Sequence, residues 1–242
     1  MKVTEGDQRF PEGRPLELPW WPKERGRPPT REPLSREEIV AAAIRLIDRD
    51  GLDALSMRRL GEELGASATT SYWHVGNKDS LLGFVSDAIY GEMLAELPAE
   101  AAATWQDDVL LVARAARRVL VERHPRAVRL FAGRNRLGPN TLGFMDRLLA
   151  ALRPTGLDAS RTLLAYRLIL NAIYGYAANE APDAEGTADG TAEASATRLA
   201  SLPAAQFPNI LAVVPAIGRV PTGEQYEYGI KRLLKGIEAD VP

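Results

Sequence analysis

Short polar and basic side chains cluster between residues 56 and 78, at the spacing of two short helices joined by a tight turn. Small hydroxyl groups can approach the edge of a base pair closely enough to hydrogen-bond with it, whereas phenol and imidazole groups can reach phosphate oxygens. A lysine at the start of a helix adds positive charge where the helix N-terminus already attracts phosphate. The chemistry available to this set is therefore hydrogen bonding to a nucleic acid. Its members are Thr69, Thr70, Tyr72, His74 and Lys78.

Two short helices must hold these side chains. Ser56 is a good N-cap for the first helix, which is predicted to end near Leu64, and Gly65 supplies the turn. The second helix is predicted to run from about Ala68 to His74. This arrangement is typical of a helix-turn-helix, although a plain three-helix core without nucleic-acid contacts is the other interpretation of such a pair. The exposed polar residues of the second helix weigh against the plain core.

Helical signals continue on both sides of this motif. Ser35 and Glu38 form a capping-box signature before an apolar pattern of helical period, which Gly51 stops. Asn77 is predicted to cap a long helix that Pro98 ends. The helix-turn-helix is therefore expected to sit between two longer helices that can cover its apolar side.

The remainder of the chain shows helical periods and no convincing strand or internal repeat, so the predicted fold class is all-α. A capping box of Thr222 and Gln225 is predicted to open the last helix. The acidic, small and Gly-containing stretch 181–195 is predicted to be a mobile loop. The helix at 158–179 is apolar on two sides, which predicts burial of both. Predicted helices lie at 104–123, 139–152, 158–179 and 222–240.

Composition limits the classes of function that remain open. The 242 residues are 45% hydrophobic and 26% charged, values ordinary for a globular protein with a sizeable core. The absence of cysteine excludes disulfides, thiolate catalysis and cysteine-based metal sites. A formal net charge of −2 means that any nucleic-acid contact must come from a local basic patch. We find no membrane-spanning stretch and no signal peptide, and we expect a cytoplasmic protein without a cofactor.

The first 34 residues differ from the rest, because seven prolines make regular helix or strand unfavourable there. The second half of this arm is basic, and its Arg25-Gly-Arg-Pro28 segment resembles the core of an AT-hook. A flexible arginine arm beside a major-groove reader can enter the adjacent minor groove, so Arg25 and Arg27 are candidate DNA contacts. An unstructured, solvated linker is the other interpretation of the arm.

Residues 39–82 resemble the DNA-binding domain of TetR-family transcriptional repressors, and most closely the tetracycline-repressor type within that family. The most specific part of the resemblance is Tyr72-Trp-His-Val-Gly-Asn-Lys78, followed by Leu81-Leu82. The segment Thr104-Trp-Gln-Asp107 extends the similarity into the second domain. Beyond it, Gly156 and Gly175 lie at the spacing found in the family. The resemblance extends to about residue 180.

The resemblance implies a flexible arm (1–34), a helix-turn-helix DNA-binding domain (35–80), and a ligand-binding and dimerisation domain (81–242). Helices 158–179 and 222–240 would form a four-helix bundle with the partner subunit of a homodimer. A two-fold dimer presents its recognition helices to successive major grooves of a palindromic operator, about 34–36 Å apart. A small-molecule effector would favour a dimer with the wrong spacing and so release the double-stranded DNA.

The resemblance also assigns roles to individual residues of the motif. Arg58 matches a position that reads a guanine, which suits the paired hydrogen bonds that arginine can form. Thr70 and Tyr72 match contacts made by the recognition helix. His74 and Lys78 match phosphate contacts. These assignments predict one guanine-reading residue outside the recognition helix.

Two base-reading positions, Ala68 and Thr69, depart from the pattern of tetracycline repressors. The short side chain of Ala68 loses a hydrogen-bonding contact to the DNA. The operator sequence is therefore expected to differ from that of the tetracycline repressors.

The same resemblance implies a ligand pocket in the second domain. Tetracycline repressors coordinate the magnesium of the drug through a histidine, and the matching position here is Phe131, with His124 nearby as a residue that ends a helix before a proline. Phenylalanine cannot ligate magnesium, so neither a metal nor a magnesium–tetracycline effector is expected. Apolar, aromatic walls favour a lipophilic or polycyclic effector, although ordinary core packing also explains each aromatic residue. Expected pocket residues are Val112, Ala116, Phe131, Asn135, Phe144, Arg147, Leu163, Tyr166 and Tyr174.

Two other classes of function remain open on the sequence. An enzyme is disfavoured because Gly65-Ala-Ser-Ala lacks the closing glycine of a nucleophile elbow, no phosphate-binding loop is present, and the two histidines lie far apart. A helical ligand-binding or interaction protein without specific DNA binding is the second alternative. The residues that argue against it are Arg58, Tyr72, His74 and Lys78.

Overall fold

A computed structural model describes residues 35–65, 75–132, 137–180 and 192–242. Every regular element in these ranges is a helix, in agreement with the predicted all-α class. The α-helices are α1 (Arg36–Asp50), α2 (Met57–Glu63), α3 (Lys78–Ala95), α4 (Trp105–Arg117), α5 (Pro139–Leu152), α6 (Ala159–Glu180), α7 (Ala192–Ala200), α8 (Pro208–Val213) and α9 (Thr222–Glu238). Shorter helical turns span Leu52–Ala54, Arg118–Arg123, Pro125–Ala132, Arg153–Thr155 and Val214–Ala216.

Local side-chain caps fix where the first helices begin. The Ser35 hydroxyl accepts the Glu38 amide at 3.1 Å, and the Glu38 carboxylate accepts the Ser35 amide at 2.7 Å, so the predicted capping box is confirmed. Three further predicted N-caps are confirmed, because each side chain accepts a hydrogen bond from the backbone amide three residues later. These caps are Ser56, Asn77 and Thr104. Each such cap stabilises its helix by about 1 kcal/mol.

The N-terminal unit comprises α1, Leu52–Ala54, α2 and the first turns of α3. Its core is apolar, and α1 packs against Leu52–Ala54, α2 and α3. Gly65 ends α2 with a φ of +59°, a left-handed conformation that favours glycine and turns the chain as predicted. The buried side chains of this unit include Ile39, Leu46, Leu55, Leu60, Val75 and Leu81.

Helix α3 leaves the N-terminal unit and packs along α5, where a buried carboxylate replaces the missing cap of α5. The N-cap position of α5 is Gly138, which has no side chain to accept the first amides. The Asp87 carboxylate of α3 accepts the amide and the hydroxyl of Thr141, both at 2.8 Å, and the Asn140 side-chain amide at 3.2 Å. Burial raises the pKa of Asp87, although these hydrogen bonds oppose the shift. Asp87 thereby fixes α5 against α3.

Helix α9 packs on α4 and α6 through its apolar face. The Tyr226 hydroxyl donates to the Ala113 carbonyl at 2.7 Å. The predicted Thr222/Gln225 capping box is wrong: Thr222 is already the first helical residue, and the Gln225 side chain donates to the Val220 carbonyl instead. Pro221 occupies the N-cap position, and proline has no backbone N–H with which to close a capping box.

The predicted mobile loop 181–195 also needs a correction. Residues 192–195 form the start of α7, because the alanine-rich segment from Ala192 favours a helix. The other residues of that prediction, 181–191, lie outside the described ranges. Among the helices of the described residues, none is both long and apolar enough to cross a membrane.

Candidate DNA-binding and effector-binding sites

Two of the predicted DNA contacts lie on the surface of the N-terminal unit. The Arg58 side chain on α2 is 79% exposed, and its guanidinium pairs with the Glu62 carboxylate one turn later at 2.6 Å. Exposed pairs of this kind contribute little stability, so a base or phosphate can replace Glu62 as the partner of Arg58. Lys78 is the exposed first residue of α3, where the helix N-terminus adds its own attraction for an anion.

The remaining predicted contacts lie outside the described residues, and their roles stay predictions. They include the recognition helix, the basic arm and one residue of the expected pocket. These residues are Arg25, Arg27, Ala68, Thr69, Thr70, Tyr72, His74 and Asn135.

Four aromatic rings from four elements meet in the helical body. The Tyr90 ring on α3 lies 5.2 Å from Phe131 and 5.3 Å from Phe144 between centroids, and Phe131 lies 5.6 Å from Tyr174 on α6. The Tyr90 and Tyr174 hydroxyls are hydrogen-bonded to each other at 2.7 Å. We call Tyr90, Phe131, Phe144 and Tyr174 the aromatic cluster. It joins three predicted pocket residues to Tyr90, which sequence reasoning missed.

No pattern in the sequence marks Tyr90, but the position of Tyr90 on α3 explains why it joins the cluster. Tyr90 lies three residues after Asp87, which binds the first turn of α5, and four residues before Leu94, which packs beside Gly143 of α5. Residues at this spacing share one face of a helix. A tyrosine on the α5-facing side of α3 is therefore placed beside Phe144.

The hydroxyl groups of Tyr166 and Tyr174 stay protonated at neutral pH. Burial raises the pKa of Tyr174 well above its ordinary value, and burial together with nearby Tyr90 raises the pKa of Tyr166 to about 12. Tyr166 is half-buried on α6. A neutral phenol can both donate and accept a hydrogen bond, so the site combines apolar walls with polar groups of either kind.

The other predicted pocket residues take different positions. Val112 and Ala116 are fully buried on α4. Both terminal nitrogens of the Arg147 guanidinium donate to the Asp108 carboxylate, at 2.5 and 2.7 Å, so Arg147 ties α5 to α4. This pair lowers the pKa of Asp108.

Leu163, which was expected in the pocket wall, is instead 44% exposed. The side of α6 that faces the body is formed by buried residues such as Ala165 and Ile169. The predicted second apolar side, which includes Leu164 and Leu168, is also exposed in the single chain. One helix can turn only one side toward its own body, so the prediction that both sides are buried is wrong for the isolated subunit.

A charged cleft of about 710 Å³ lies between α4 and α9, apart from the aromatic cluster. Its cations already have partners: Arg114 and Lys231 both pair with Glu227, and Arg117 pairs with Glu180. The hydrogen bond from Arg114 is the main cause that lowers the pKa of Glu227 to about 2. These internal pairs make the cleft a poor site for a lipophilic molecule.

His124 does more than end a helix, which is all that the sequence predicted for it. Its backbone amide donates to the Val119 carbonyl at 2.9 Å, which closes a wide turn at the end of Arg118–Arg123. The ring is buried between Asp48 of α1 and Glu92 of α3 and lies within hydrogen-bond distance of both carboxylates. Within the described ranges, no group of three or more metal-ligating side chains is placed to hold a metal ion.

In the described residues, α1, α2 and the start of α3 form an N-terminal unit that the long helix α3 joins to an all-helical body, as expected for a helix-turn-helix transcriptional regulator. The chain belongs to the TetR family of bacterial regulatory proteins. Residues 39–83 match the family profile "Bacterial regulatory proteins, tetR family", and residues 97–241 match "Tetracyclin repressor-like, C-terminal domain". The members of these families are transcriptional regulators and not enzymes.

Individual relatives agree with this assignment. An HTH-type transcriptional regulator of Saccharopolyspora erythraea is 37% identical over 197 residues, which cover 80% of this chain and 81% of that protein. The HTH-type transcriptional repressor DrrR1 of Streptomyces coeruleorubidus is 30% identical over 93% of this chain and 85% of its own length. The structure of ActR from Streptomyces coelicolor in complex with actinorhodin is similar with a TM-score of 0.75 and 32% identity, covering 86% of this chain and 99% of that chain.

Proposed function

We propose that this protein is a repressor that binds a palindromic operator as a homodimer and releases it when a small, mostly hydrophobic effector binds. The observation that carries the proposal is the path of α3. This helix begins at Lys78, a predicted phosphate contact, and places Tyr90 in the aromatic cluster three turns later. An effector that displaces Tyr90 therefore acts on the same rigid element that supports the DNA-binding unit.

The exposed side of α6 supports the homodimer. Leu163, Leu164 and Leu168 are 44%, 67% and 51% exposed, and Leu164 and Leu168 lie four residues apart on one side of the helix. A contiguous apolar surface of this kind is typical of a protein interface. A second copy that packs α6 and α9 against their symmetry mates would cover these leucines and fix the spacing of the two DNA-binding units.

The aromatic cluster supports a planar, polycyclic effector. Its rings offer flat apolar surfaces, and the hydroxyls of Tyr90 and Tyr174 can bond a carbonyl or hydroxyl at the edge of the ligand. The Arg147 guanidinium is already paired with the Asp108 carboxylate, so its positive charge is not available to bind a ligand at this site. The relative ActR has been solved with actinorhodin, a finding that agrees with an effector of this class.

The DNA-binding part of the proposal is tested with Arg58→Ala. We expect its affinity for duplexes that the wild type selects from a random library to fall by about 1–3 kcal/mol, with relaxed preference at one guanine, because paired hydrogen bonds are lost. Fluorescence anisotropy on matched and mutated duplexes measures both effects. Arg45→Ala removes another exposed arginine of the N-terminal unit and serves as the control. Equal losses in the two variants, with no change in base preference, would refute the role of Arg58.

The effector class is tested with hydroxyanthraquinones as probes. A probe that binds the native dimer is expected to raise the melting temperature and to release the selected duplex. Tyr174→Phe keeps the apolar wall but removes one hydroxyl, so probe affinity is expected to fall by about 1 kcal/mol. The matched control is Tyr228→Phe, since the Tyr228 side chain is 63% exposed on α9. Calorimetric titration that finds the two variants equal would place the probe elsewhere, and a panel without any binder would refute the effector class.

A further inference from the structure

His124 is positioned to bind two elements at once. Its Nδ1 atom lies 2.9 Å from the Asp48 carboxylate near the end of α1, and its Nε2 atom lies 3.1 Å from the Glu92 carboxylate of α3. The residue is only 8% exposed. A carboxylate can only accept, and neutral imidazole carries a single N–H, so both contacts are complete only when the ring is protonated.

The charges around His124 favour that protonated form. Burial alone would lower the pKa of His124, but the hydrogen bonds and charges of Asp48 and Glu92 outweigh burial and raise the pKa above its ordinary 6.5. Arg123 competes for one of these carboxylates, since its guanidinium lies 3.5 Å from the Glu92 carboxylate. Arg123 and Arg118 both pair with Glu96, which takes up part of their charge.

The residues that follow His124 bind the same end of the N-terminal unit. The Arg126 guanidinium donates to the Arg49 carbonyl at the end of α1. Arg129 pairs with Asp53 of the next short helix at 3.0 Å. The turn Pro125–Ala132 that carries both arginines also packs against α1, α3 and α6. Residues 124–129 therefore hold the N-terminal unit at three points.

The same turn reaches the aromatic cluster through Phe131. Phe131 lies two residues after Arg129 and contacts the rings of Tyr90 and Tyr174. The start of this short turn therefore contacts the N-terminal unit, and its end contributes Phe131 to the aromatic cluster. Less than three helical turns separate Phe131 from His124.

We propose that His124, Asp48 and Glu92 form a charge-dependent latch that fixes the orientation of the DNA-binding unit and makes operator affinity fall as His124 loses its proton. This inference rests on the proposed function and adds a second input, proton concentration, to the effector. With the latch open, the unit samples more orientations and a smaller fraction of dimers presents both recognition helices at the operator spacing. An effector that displaces Phe131 opens the same latch from its other end.

The direction of the pH dependence follows from the raised pKa. Below the ordinary histidine value of 6.5 the latch is fully charged and closed. As pH rises through the raised pKa, His124 keeps only one N–H, so one of the two carboxylates loses its hydrogen-bond donor. The positive charge between Asp48 and Glu92 is also lost, so these carboxylates repel each other more strongly. Operator affinity is therefore expected to fall by roughly fivefold or more between about pH 6 and about pH 9.

The test compares the pH profile of duplex binding in wild type, Glu92→Gln and His124→Gln, with wild-type-selected duplexes as the probe. Glu92→Gln keeps an acceptor oxygen but removes a charge, so the midpoint of the affinity loss is expected to shift to lower pH. His124→Gln is expected to abolish the step. His74 is the second of the two histidines and is present in every variant, so only a step that moves with Glu92→Gln belongs to the latch. Glu193→Gln, an exposed change on α7, is the control and should follow wild type.

Equal midpoints in wild type and Glu92→Gln would overturn the latch while leaving the repressor intact. Failure of the wild type to bind any selected duplex at any pH would instead overturn the proposed function, and the role of the latch with it. Nuclear magnetic resonance of the imidazole rings gives an independent readout, since His124→Gln assigns both signals. Glu92→Gln must lower the measured pKa of His124, and an unchanged value would also refute the latch.

Discussion

Replacing Leu164 and Leu168 together by glutamate is expected to convert the proposed homodimer to a monomer and to lower operator affinity by at least about 100-fold. Each leucine contributes roughly 1.5–3 kcal/mol when buried, and two-fold symmetry doubles the loss. The new carboxylates would also be buried opposite one another without partners. Because both side chains are more than half exposed in the single chain, the fold of the monomer should keep its stability. Multi-angle light scattering and duplex titration measure the two effects.

Leu137→Glu is the matched control for this experiment. Leu137 is 44% exposed and lies outside α6, so the same substitution there should leave a dimer with wild-type operator affinity. A double α6 variant that remains dimeric would show that α6 is not the interface. Dissociation with unchanged operator affinity would separate dimerisation from DNA binding and contradict the palindromic operator.

Asp87→Ala is expected to lower the free energy of unfolding by about 3 kcal/mol. The substitution removes the only side chain among the described residues seen to cap the first turn of α5, and it leaves the donors of Asn140 and Thr141 unsatisfied in a buried place. Gly138 cannot replace the cap because it has no side chain. Urea denaturation followed by circular dichroism gives the free energy and the midpoint.

Asp87→Asn separates capping from packing in this prediction. Asparagine has the size of aspartate and keeps one acceptor oxygen for Thr141, so it should retain part of the lost stability. Ser160→Ala, an exposed change on α6, controls for a small side-chain truncation at the surface. An Asp87→Ala variant as stable as wild type would show that water or a neighbouring group satisfies the first turn of α5.

Contacts between near neighbours in the sequence were predictable, and the structure confirms them. Ser35 and Asn77 were predicted as caps because a cap and its amide lie three residues apart, so the pattern contains both partners. The Thr222/Gln225 pattern failed because the preceding proline moved the start of the helix by one residue. Local chemistry therefore sets these helix starts to within a residue.

Contacts between distant residues were not predictable from one sequence. Asp87 binds residues 53 and 54 positions away, and His124 binds a carboxylate 76 positions away. No periodicity relates such partners, because their proximity depends on how α3 packs against α1 and α5. The apolar pattern of α6 predicted two buried sides, but the structure buries only one of them, and Leu163, which was assigned to the pocket wall, is 44% exposed.

Selection of duplexes from a random-sequence library, followed by mass measurement of the complex, tests the central claim most directly. We expect enrichment of a palindrome with half-sites about 34–36 Å apart, bound by two chains per duplex. A folded wild-type protein that enriches no sequence, or that binds a single unrepeated site as one chain, would contradict it.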